Sequence, residues 1–471
     1  MAQRSNFGSK IGVVLAAAGS AVGLGNVWRF PTEVGNNGGA AFILIYLFSV
    51  FFIGIPVMLS EFVIGRSTHA NAITAFRKLT EPSVTDESRR DRSLVGRLKN
   101  SRWWRIGGIE GVFVAFFISC YYIIVSGWTL HYTVASFCNQ LSGDHDYKAH
   151  FQQFVTSPWE PVLYAVIFML IVHVIIVRGV QNGIEKFSKL MMPMLLLIIA
   201  VLVVCSFSMS GFTEGMAFML KPDFSKVSPT VVLSAVGQAF YSLSLAMGCL
   251  CTYASYFGSD TNLGRTAVNV ALIDTCVAVL CGFIIFPAVF SVPSVSANEG
   301  PGLVFITLPH VFNIAFHHTP VIGYLFSGLF YVLLLLSALT SAISLHEPVT
   351  AYIHEEWNVS RKKAAWMVTV ACMLLGVACS LSMGVWNDFK IAGLCLFDLF
   401  DFVSAKLILP FGGILICLFV GHKLDRQLVE NEVTNHGKLR VPLFRLYIYL
   451  IRWVAPLAIA LIFFNELFFS K

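Results

Sequence analysis

The chain has 471 residues, 56% of them hydrophobic and 12% charged, with a mean hydropathy of +0.75 and a formal net charge of +6. Soluble domains carry about twice that share of charge, so the composition excludes a soluble enzyme and indicates a polytopic membrane protein. The positive balance sits in particular loops and calls for no nucleic acid, and the 11 cysteines, mostly inside apolar segments, read as small buried hydrophobes rather than a disulfide frame or a metal site.

Eleven spans are predicted, at about 11–36, 41–66, 106–136, 161–178, 187–209, 229–257, 265–292, 321–354, 364–384, 388–421 and 443–468. Span 1 begins as an apolar helix and then collects Gly19, Gly23 and Gly25, followed by Asn26, Arg29 and Pro31. Each glycine costs a helix about 1 kcal/mol against alanine, so the run invites unwinding. Unwound backbone survives in a membrane only where it lines a cavity or is buried in protein. Free carbonyls there suit a cation, and the start of the next half-helix suits an anion. The polar, glycine-rich end of the segment is unlike the apolar core of a signal peptide, so it is not expected to be a cleaved leader.

Loop charges test the count. Residues 66–105 hold ten Lys and Arg, including Arg89, Arg90, Arg92 and Arg97, whereas 137–160 hold only Lys148 and 293–320 hold none. Arg178, Lys186 and Lys189 follow span 4; Arg361, Lys362 and Lys363 follow span 8; Lys423, Arg426, Lys438 and Arg440 follow span 10. Every second loop is basic, which predicts a cytoplasmic N-terminus and, after eleven spans, Lys471 outside. The basic loop 67–105 reads as a topology determinant near anionic lipid rather than a nucleic-acid patch. The apolar stretch 300–316 is expected to form a short helix folded over the outer mouth. Span 6 is the second irregular one, with Gly237, Gln238, Ser242, Ser244 and Gly248 in mid-span. Interrupted helices at matching places in two halves predict an inverted repeat around a central site. The halves would be 1–228 and 229–421, with 422–471 supplying a loop and span 11. Asp274 is the only acid within span 7; a charge at that depth is a functional candidate by default. No zinc spacing, phosphate loop or nucleophile elbow is present, so no catalysis is expected.

At these residues the chain resembles a bacterial neurotransmitter:sodium symporter of the leucine-transporter (LeuT) type. The segments that carry the resemblance are GSAVGLGNVWRFP (19–31), NGGAAFILIY (37–46), GIPVMLSEFVIGR (54–66), YY and SGWTL within 121–130, AVGQAFYSLSL (235–245), TYASY (252–256), FITLP (305–309) and LTSAISLHEP (339–348). They run in order along almost the whole length. The resemblance implies an all-α polytopic membrane protein with the LeuT fold: a 5+5 inverted repeat with unwound spans 1 and 6, plus an eleventh span. It also implies sodium-coupled symport of an amino acid across the cytoplasmic (inner) membrane by alternating access. The rival readings are a proton-driven carrier and a non-transporting amino-acid sensor on the same fold. The chain would work in the lipid bilayer as a monomer or weak homodimer.

Two Na+ sites are implied. One would use the carbonyls of Gly19 and Val22 with Ser337, Thr340 and Ser341 of span 8. The other would use the Ala21 carbonyl, Asn26, Ser242 and Asp274, completed by the substrate carboxylate. A carboxylate on span 7 takes the place that chloride fills in chloride-dependent relatives, so no chloride requirement is expected. The substrate carboxylate would meet the N–H groups of Leu24 and Gly25 and the Tyr122 hydroxyl, and its ammonium the carbonyls of spans 1 and 6 and the Ser244 region, with Ala21 and Ser242 among the substrate-binding residues. Ile118, Tyr241, Ser244, Met247, Ser341 and Leu345 would line the side-chain pocket. The amine carriers of the family have an aspartate where Gly23 stands, so an amino acid bringing its own carboxylate is favoured, and Met247 suits a large hydrophobic or aromatic one. Ala246 stands where glycine is usual and is expected to shrink the pocket. Arg29 would pair with Asp401 or Asp398 as one gate, with Tyr241 as a lid, and Arg4 with Glu355 as the other. Glu61 would brace unwound backbone. His346 and Glu347 are read as solvated in the inner vestibule.

Overall fold

A computed structural model describes residues 6–81, 102–141, 143, 146–292, 302–316 and 319–468. Arg4, Lys471 and the basic stretch 82–101 lie outside the described residues. The described chain is helical, and its one extended pairing is an isolated bridge between Ile391 and Leu394.

Nine continuous helices among the described residues are long and apolar enough to cross a membrane. They are Ala40–Thr68 (span 2), Arg102–Phe137 (3), Glu160–Val177 (4), Val180–Ser206 (5), Leu263–Phe290 (7), Pro320–Glu356 (8), Arg361–Leu381 (9), Leu396–Lys423 (10) and Phe444–Phe468 (11). Two further spans are broken. Span 1 consists of Lys10–Ala21 and Gly25–Asn36, bent by 54°. Span 6 consists of Pro229–Ser242 and Cys249–Ala254, each too short to cross alone. Span 10 starts at Leu396, eight residues later than the predicted 388, because 382–394 is taken up by turns.

Packing sorts the spans into groups. Span 3 lies along span 8 and also packs on spans 4 and 9; span 6 packs on span 2, and span 7 on spans 1, 2 and 5. The first half of span 1 touches spans 5, 7 and 8, so it stands at the boundary between the groups. Outward-facing Leu197, Val204 and Leu374 are each more than 60% exposed, an apolar belt suited to lipid rather than water. The apolar segment after span 7 forms the short helix Leu303–Ala315, which packs on spans 7 and 8.

Two polar knots tie loops to this frame. Arg66 at the end of span 2 is buried; its Nε bonds Glu432 at 2.6 Å, and its Nη1 donates to the Thr261 carbonyl at 2.6 Å and to Asn435 at 3.0 Å. This anchors the loop helix Arg426–Val433. Glu185, at the start of span 5, accepts from the Gly8 amide (2.6 Å) and the Ser9 hydroxyl (2.9 Å) and pairs with Lys189 (2.6 Å). Ser9 in turn caps the first half of span 1 by accepting from the Gly12 amide, which satisfies one of the unpaired donors at that helix start. The Phe7 amide donates to the Tyr256 carbonyl at 3.1 Å, so the segment before span 1 also touches the end of span 6.

Candidate functional site at the two helix breaks

The break in span 1 covers Val22–Leu24, where Val22 is extended. Its backbone is held locally and from outside. The Asn26 side-chain oxygen accepts from the Gly23 amide at 2.9 Å, and the Asn26 amide donates to the Gly23 carbonyl at 3.1 Å. Gly23 has a steric reason to lack a side chain, because a Cβ there would land on the Ser341 hydroxyl. An aspartate at this position would collide with span 8.

The break in span 6 covers 243–248, later than Gly237 and Gln238, which sit in intact helix. Ser244 (φ 51°), Ala246 (φ 60°) and Gly248 (φ 67°) are all left-handed. For a residue with a Cβ that conformation costs roughly 1–2 kcal/mol and persists only where the surroundings impose it. Glu61 of span 2 imposes it here, accepting from the Ala246 amide at 2.7 Å. The Ser244 hydroxyl donates to the Ser20 carbonyl at 2.9 Å and links the two breaks. Ala246 therefore does not shrink the pocket as expected: it is absent from the cavity wall, and its backbone conformation is its contribution.

Two oxygen clusters flank span 1. In the first, the Asn26 side chain donates to the Asp274 carboxylate (2.7 Å) and carbonyl (3.1 Å), and the Ser242 hydroxyl donates to the other carboxylate oxygen (2.7 Å). The Tyr46 hydroxyl reaches Ser242 at 3.5 Å. Asp274 is fully buried, the donors to its carboxylate, Asn26 and Ser242, are neutral, and it has no ion pair among the described residues. An uncompensated acid at mid-membrane costs about 3 kcal/mol, so a monovalent cation is the partner this cluster suits. In the second, the hydroxyls of Thr340 and Ser341 donate to the Val22 carbonyl at 3.3 and 3.2 Å, Thr340 also donates to the Ser337 carbonyl at 3.0 Å, and Gly19 lies against Thr340. Both sets are hard oxygens, the donor type for alkali cations. No group of three or more His, Cys, Asp or Glu side chains is arranged for a metal among the described residues, as a carbonyl–hydroxyl site requires none.

Between the breaks lies a cavity of about 40 Å³. Ala21, Leu24, Gly25, Ile118, Tyr122 and Tyr241 line one part, and Ser242, Ser244, Met247, Ser341 and Leu345 the rest, together with Ser20, Gly23 and Ser344. All eleven residues expected to meet the substrate are thus brought to one wall. The Tyr122 and Ser20 hydroxyls are buried without a hydrogen-bond partner among the described residues, two polar atoms a ligand would satisfy. A second cavity of about 420 Å³ lies on the Arg29 side and shares Leu24, Gly25, Tyr122 and Tyr241 with the first. Those four residues form the partition between the two.

The gates differ from expectation. Arg29 lines the larger cavity with Asp398 and Asp401, but its ion pair is with Glu33 one turn along its own helix, at 3.9 Å, and its guanidinium sits 4.3 Å above the Tyr241 ring. No Arg29–Asp401 or Arg29–Asp398 pair is formed among the described residues, because the cavity separates span 1 from span 10. Asp398 instead bonds Cys395 at the start of span 10. Arg4 lies outside the described residues; Glu355 accepts from the Asn71 amide (3.0 Å) and side chain (2.8 Å).

His346 and Glu347 are not solvated. Both are at most 1% exposed. Glu347 takes both arms of the Arg361 guanidinium (2.9 and 2.5 Å) and the Tyr256 hydroxyl (2.8 Å). His346 is hydrogen-bonded to Thr369 at 3.0 Å and Thr350 at 2.8 Å, and His173 meets the same Thr369 hydroxyl at 2.9 Å. Spans 4, 6, 8 and 9 are joined here by buried charges and hydroxyls. Sequence reasoning missed Tyr46, Arg361 and Thr369 because their partners lie on other spans, 14 residues away in the chain for Arg361 and 23 to 196 for the other two.

Comparison with known proteins gives a consistent result. A model described as the sodium:neurotransmitter symporter family matches residues 4–85 and 149–470. An uncharacterized sodium-dependent transporter of Bacillus subtilis (strain 168) is 37% identical over 461 residues, covering 98% of this chain and 97% of that one. The sodium- and chloride-dependent GABA transporter 2 of Bos taurus is 27% identical over 453 residues, 86% of this chain and 70% of its own. Among solved structures, MhsT in complex with L-phenylalanine matches with a TM-score of 0.85 and 37% identity, covering 98% of this chain and 100% of that one.

Proposed function

The chain belongs to the sodium:neurotransmitter symporter family, and we propose that it carries a hydrophobic or aromatic L-amino acid with sodium across the cytoplasmic membrane, independently of chloride. Membership makes it a multi-pass, sodium-coupled transporter and not an enzyme. The observation that carries the finer reading is the cavity at the two breaks. Backbone N–H groups of Leu24 and Gly25 and the Tyr122 hydroxyl would meet a carboxylate, and no acid lines it to replace one. The L-phenylalanine bound to MhsT supports an amino acid of this size. The cavity is smaller than such a side chain, and Met247, unbranched and adaptable, with Tyr241 above it, would give way on binding.

Two sodium ions would bind, one at Gly19, Val22, Ser337, Thr340 and Ser341, the other at Ala21, Asn26, Ser242 and Asp274. The Asp274 carboxylate supplies the negative charge of the second site, which supports independence from chloride. Sodium occupancy orders the span 1 break that also presents the carboxylate-binding amides, so ion and amino acid bind with positive coupling. Spans 1, 2, 6 and 7 would rock against 3, 4, 8 and 9, as halves 1–228 and 229–421 of an inverted repeat, with 422–471 appended. The larger cavity would face outside, and Arg29 would close toward Asp401 across it while the Glu355 side opens. The N-terminus would be cytoplasmic.

Binding of labelled L-phenylalanine, tryptophan, tyrosine and leucine to purified protein tests this, with sodium against potassium and chloride against gluconate. Sodium-dependent binding of one of them, unchanged in gluconate and lost in Asn26→Ala and Thr340→Ala, is the expected result. Equal binding in potassium would move the reading to a proton-driven carrier or a sensor.

A further inference from the structure

The larger cavity is walled by two acids that compete for Arg29: Glu33 on its own helix and Asp401 on span 10. Here Arg29 belongs to Glu33, whose Oε1 lies 3.9 Å from its Nε. Asp401 has no ion pair among the described residues. Lys406, the other cation in the wall, is taken by Glu466 of span 11 at 3.3 Å, and Asp398 is bonded to Cys395. The guanidinium is therefore the free counter-charge of this cavity, and two acids on different spans have a claim on it.

Glu33 is held in place whether or not Arg29 is there. Its Oε2 accepts the Ser234 hydroxyl from the first half of span 6, and the Asn37 side chain at 3.1 Å. Asn37 also reaches the Ser234 hydroxyl at 3.3 Å, which closes a small polar ring between spans 1 and 6. With its rotamer fixed by neutral donors, Glu33 loses no further side-chain entropy when Arg29 pairs with it. It also sits in the first turn of the helix Phe30–Asn36, where the helix dipole favours a negative charge. The ion pair itself is weak. Its partners are 37% and 25% exposed, and a base preceding an acid by four residues is the less favourable order on a helix. Glu33 is thus a fixed acceptor and Arg29 a releasable guest. Where Arg29 stands matters to the ligand, because its guanidinium lies 4.3 Å above Tyr241, part of the partition between the two cavities.

We propose that Glu33 is a positioning residue of the transport cycle: it holds Arg29 on its own helix and so keeps the larger cavity open, and the passage of Arg29 from Glu33 to Asp401 closes that cavity over the bound amino acid. Glu33 moves with the bundle of spans 1 and 6, whereas Asp401 stands across the cavity on span 10. The balance between the two acids sets how long the ligand is trapped. This deepens the transport reading given above and rests on it.

The test uses the full-length protein in detergent with a cysteine at Ala405, a small residue of the cavity wall. Labelling of A405C by an uncharged maleimide is followed at that position by mass spectrometry, in sodium with and without L-phenylalanine. Glu33→Gln keeps acceptors for Ser234 and Asn37 and removes only the charge that holds Arg29, so a merely structural role would leave the rates unmoved. With L-phenylalanine bound, E33Q should label about threefold more slowly than the unaltered background and release labelled L-phenylalanine about threefold more slowly; with sodium alone the slowing should be smaller. Adding Arg29→Gln to E33Q should abolish the slowing. Equal or faster labelling in E33Q, or slowing that survives the loss of Arg29, would overturn the proposal. If E33Q does not fold, Glu33→Asp decides: its shorter side chain stops short of Arg29, some slowing is expected, and none overturns the proposal. If the unaltered protein binds no amino acid in sodium, the transport reading has failed, and the sodium-only labelling still decides whether Glu33 holds the cavity open.

Discussion

The two helix breaks solve one problem in opposite ways. Span 1 opens for three residues and repairs itself from within: Asn26, four positions past Val22, takes the Gly23 amide, and glycine removes the steric cost. Span 6 opens for six residues and relies on other spans, with Glu61 of span 2 taking the Ala246 amide and the Ser20 carbonyl taking the Ser244 hydroxyl. The first break spends its polar atoms facing oxygen clusters on spans 7 and 8. The second keeps two non-glycine residues left-handed, a conformation that stores strain. The difference suggests a division of labour: the short break binds, and the long break is the deformable wall.

Substitutions at five positions would break or sharpen that contrast. The largest effect is expected at Asp274, on which the span 1 break leans: Asp274→Ala removes a charged acceptor worth about 3 kcal/mol, so sodium affinity should fall about a hundredfold, read by sodium-dependent amino-acid binding. Next comes Glu61→Ala, which leaves the buried Ala246 amide unsatisfied at a cost of about 2 kcal/mol; the melting temperature should drop, with Glu61→Gln milder because its carbonyl still accepts. Ala246→Gly has the opposite sign. Relieving the left-handed strain should stabilise the folded state by about 1 kcal/mol and raise the melting temperature, while Gly25→Ala just after the other break should not, since a Cβ there meets Tyr241 at 3.2 Å. An unchanged melting temperature in A246G would mean the long break is not strained. The smallest effect is expected for Arg29→Gln, which forfeits a cation–π contact of about 0.5–1 kcal/mol over Tyr241 and should speed ligand dissociation two- to fivefold.

Local signals carried much of this into the sequence. The glycines around Asn26 announce the first break, because glycine acts on the backbone where it stands. Asp274 is visible as a lone acid at depth, and the hydroxyls of Thr340 and Ser341 by their helical spacing. Of the residues that marked the second break, Ser244 and Gly248 lie in it, whereas Gly237, Gln238 and Ser242 are helical, because a deciding group, Glu61, is on another span. Arg29 was expected to pair with Asp401, yet charge alone does not say whether a helix turn or a cavity separates two residues; Glu33, four positions on, is the nearer acid. Glu347 and His346 look solvated until Arg361, Tyr256 and Thr369 arrive from other spans.

The knot at Glu185 has a practical consequence. The Gly8 amide is held by that carboxylate, and the Phe7 amide by the Tyr256 carbonyl, so both protons are sheltered only while the entry to span 1 stays docked on spans 5 and 6. Any swing of span 1 away from them must first undo these bonds. Deuterium uptake at Gly8 and Phe7 would therefore keep a tally of each such excursion, with no label attached, and its rate should slow whenever ligand holds the helix in place.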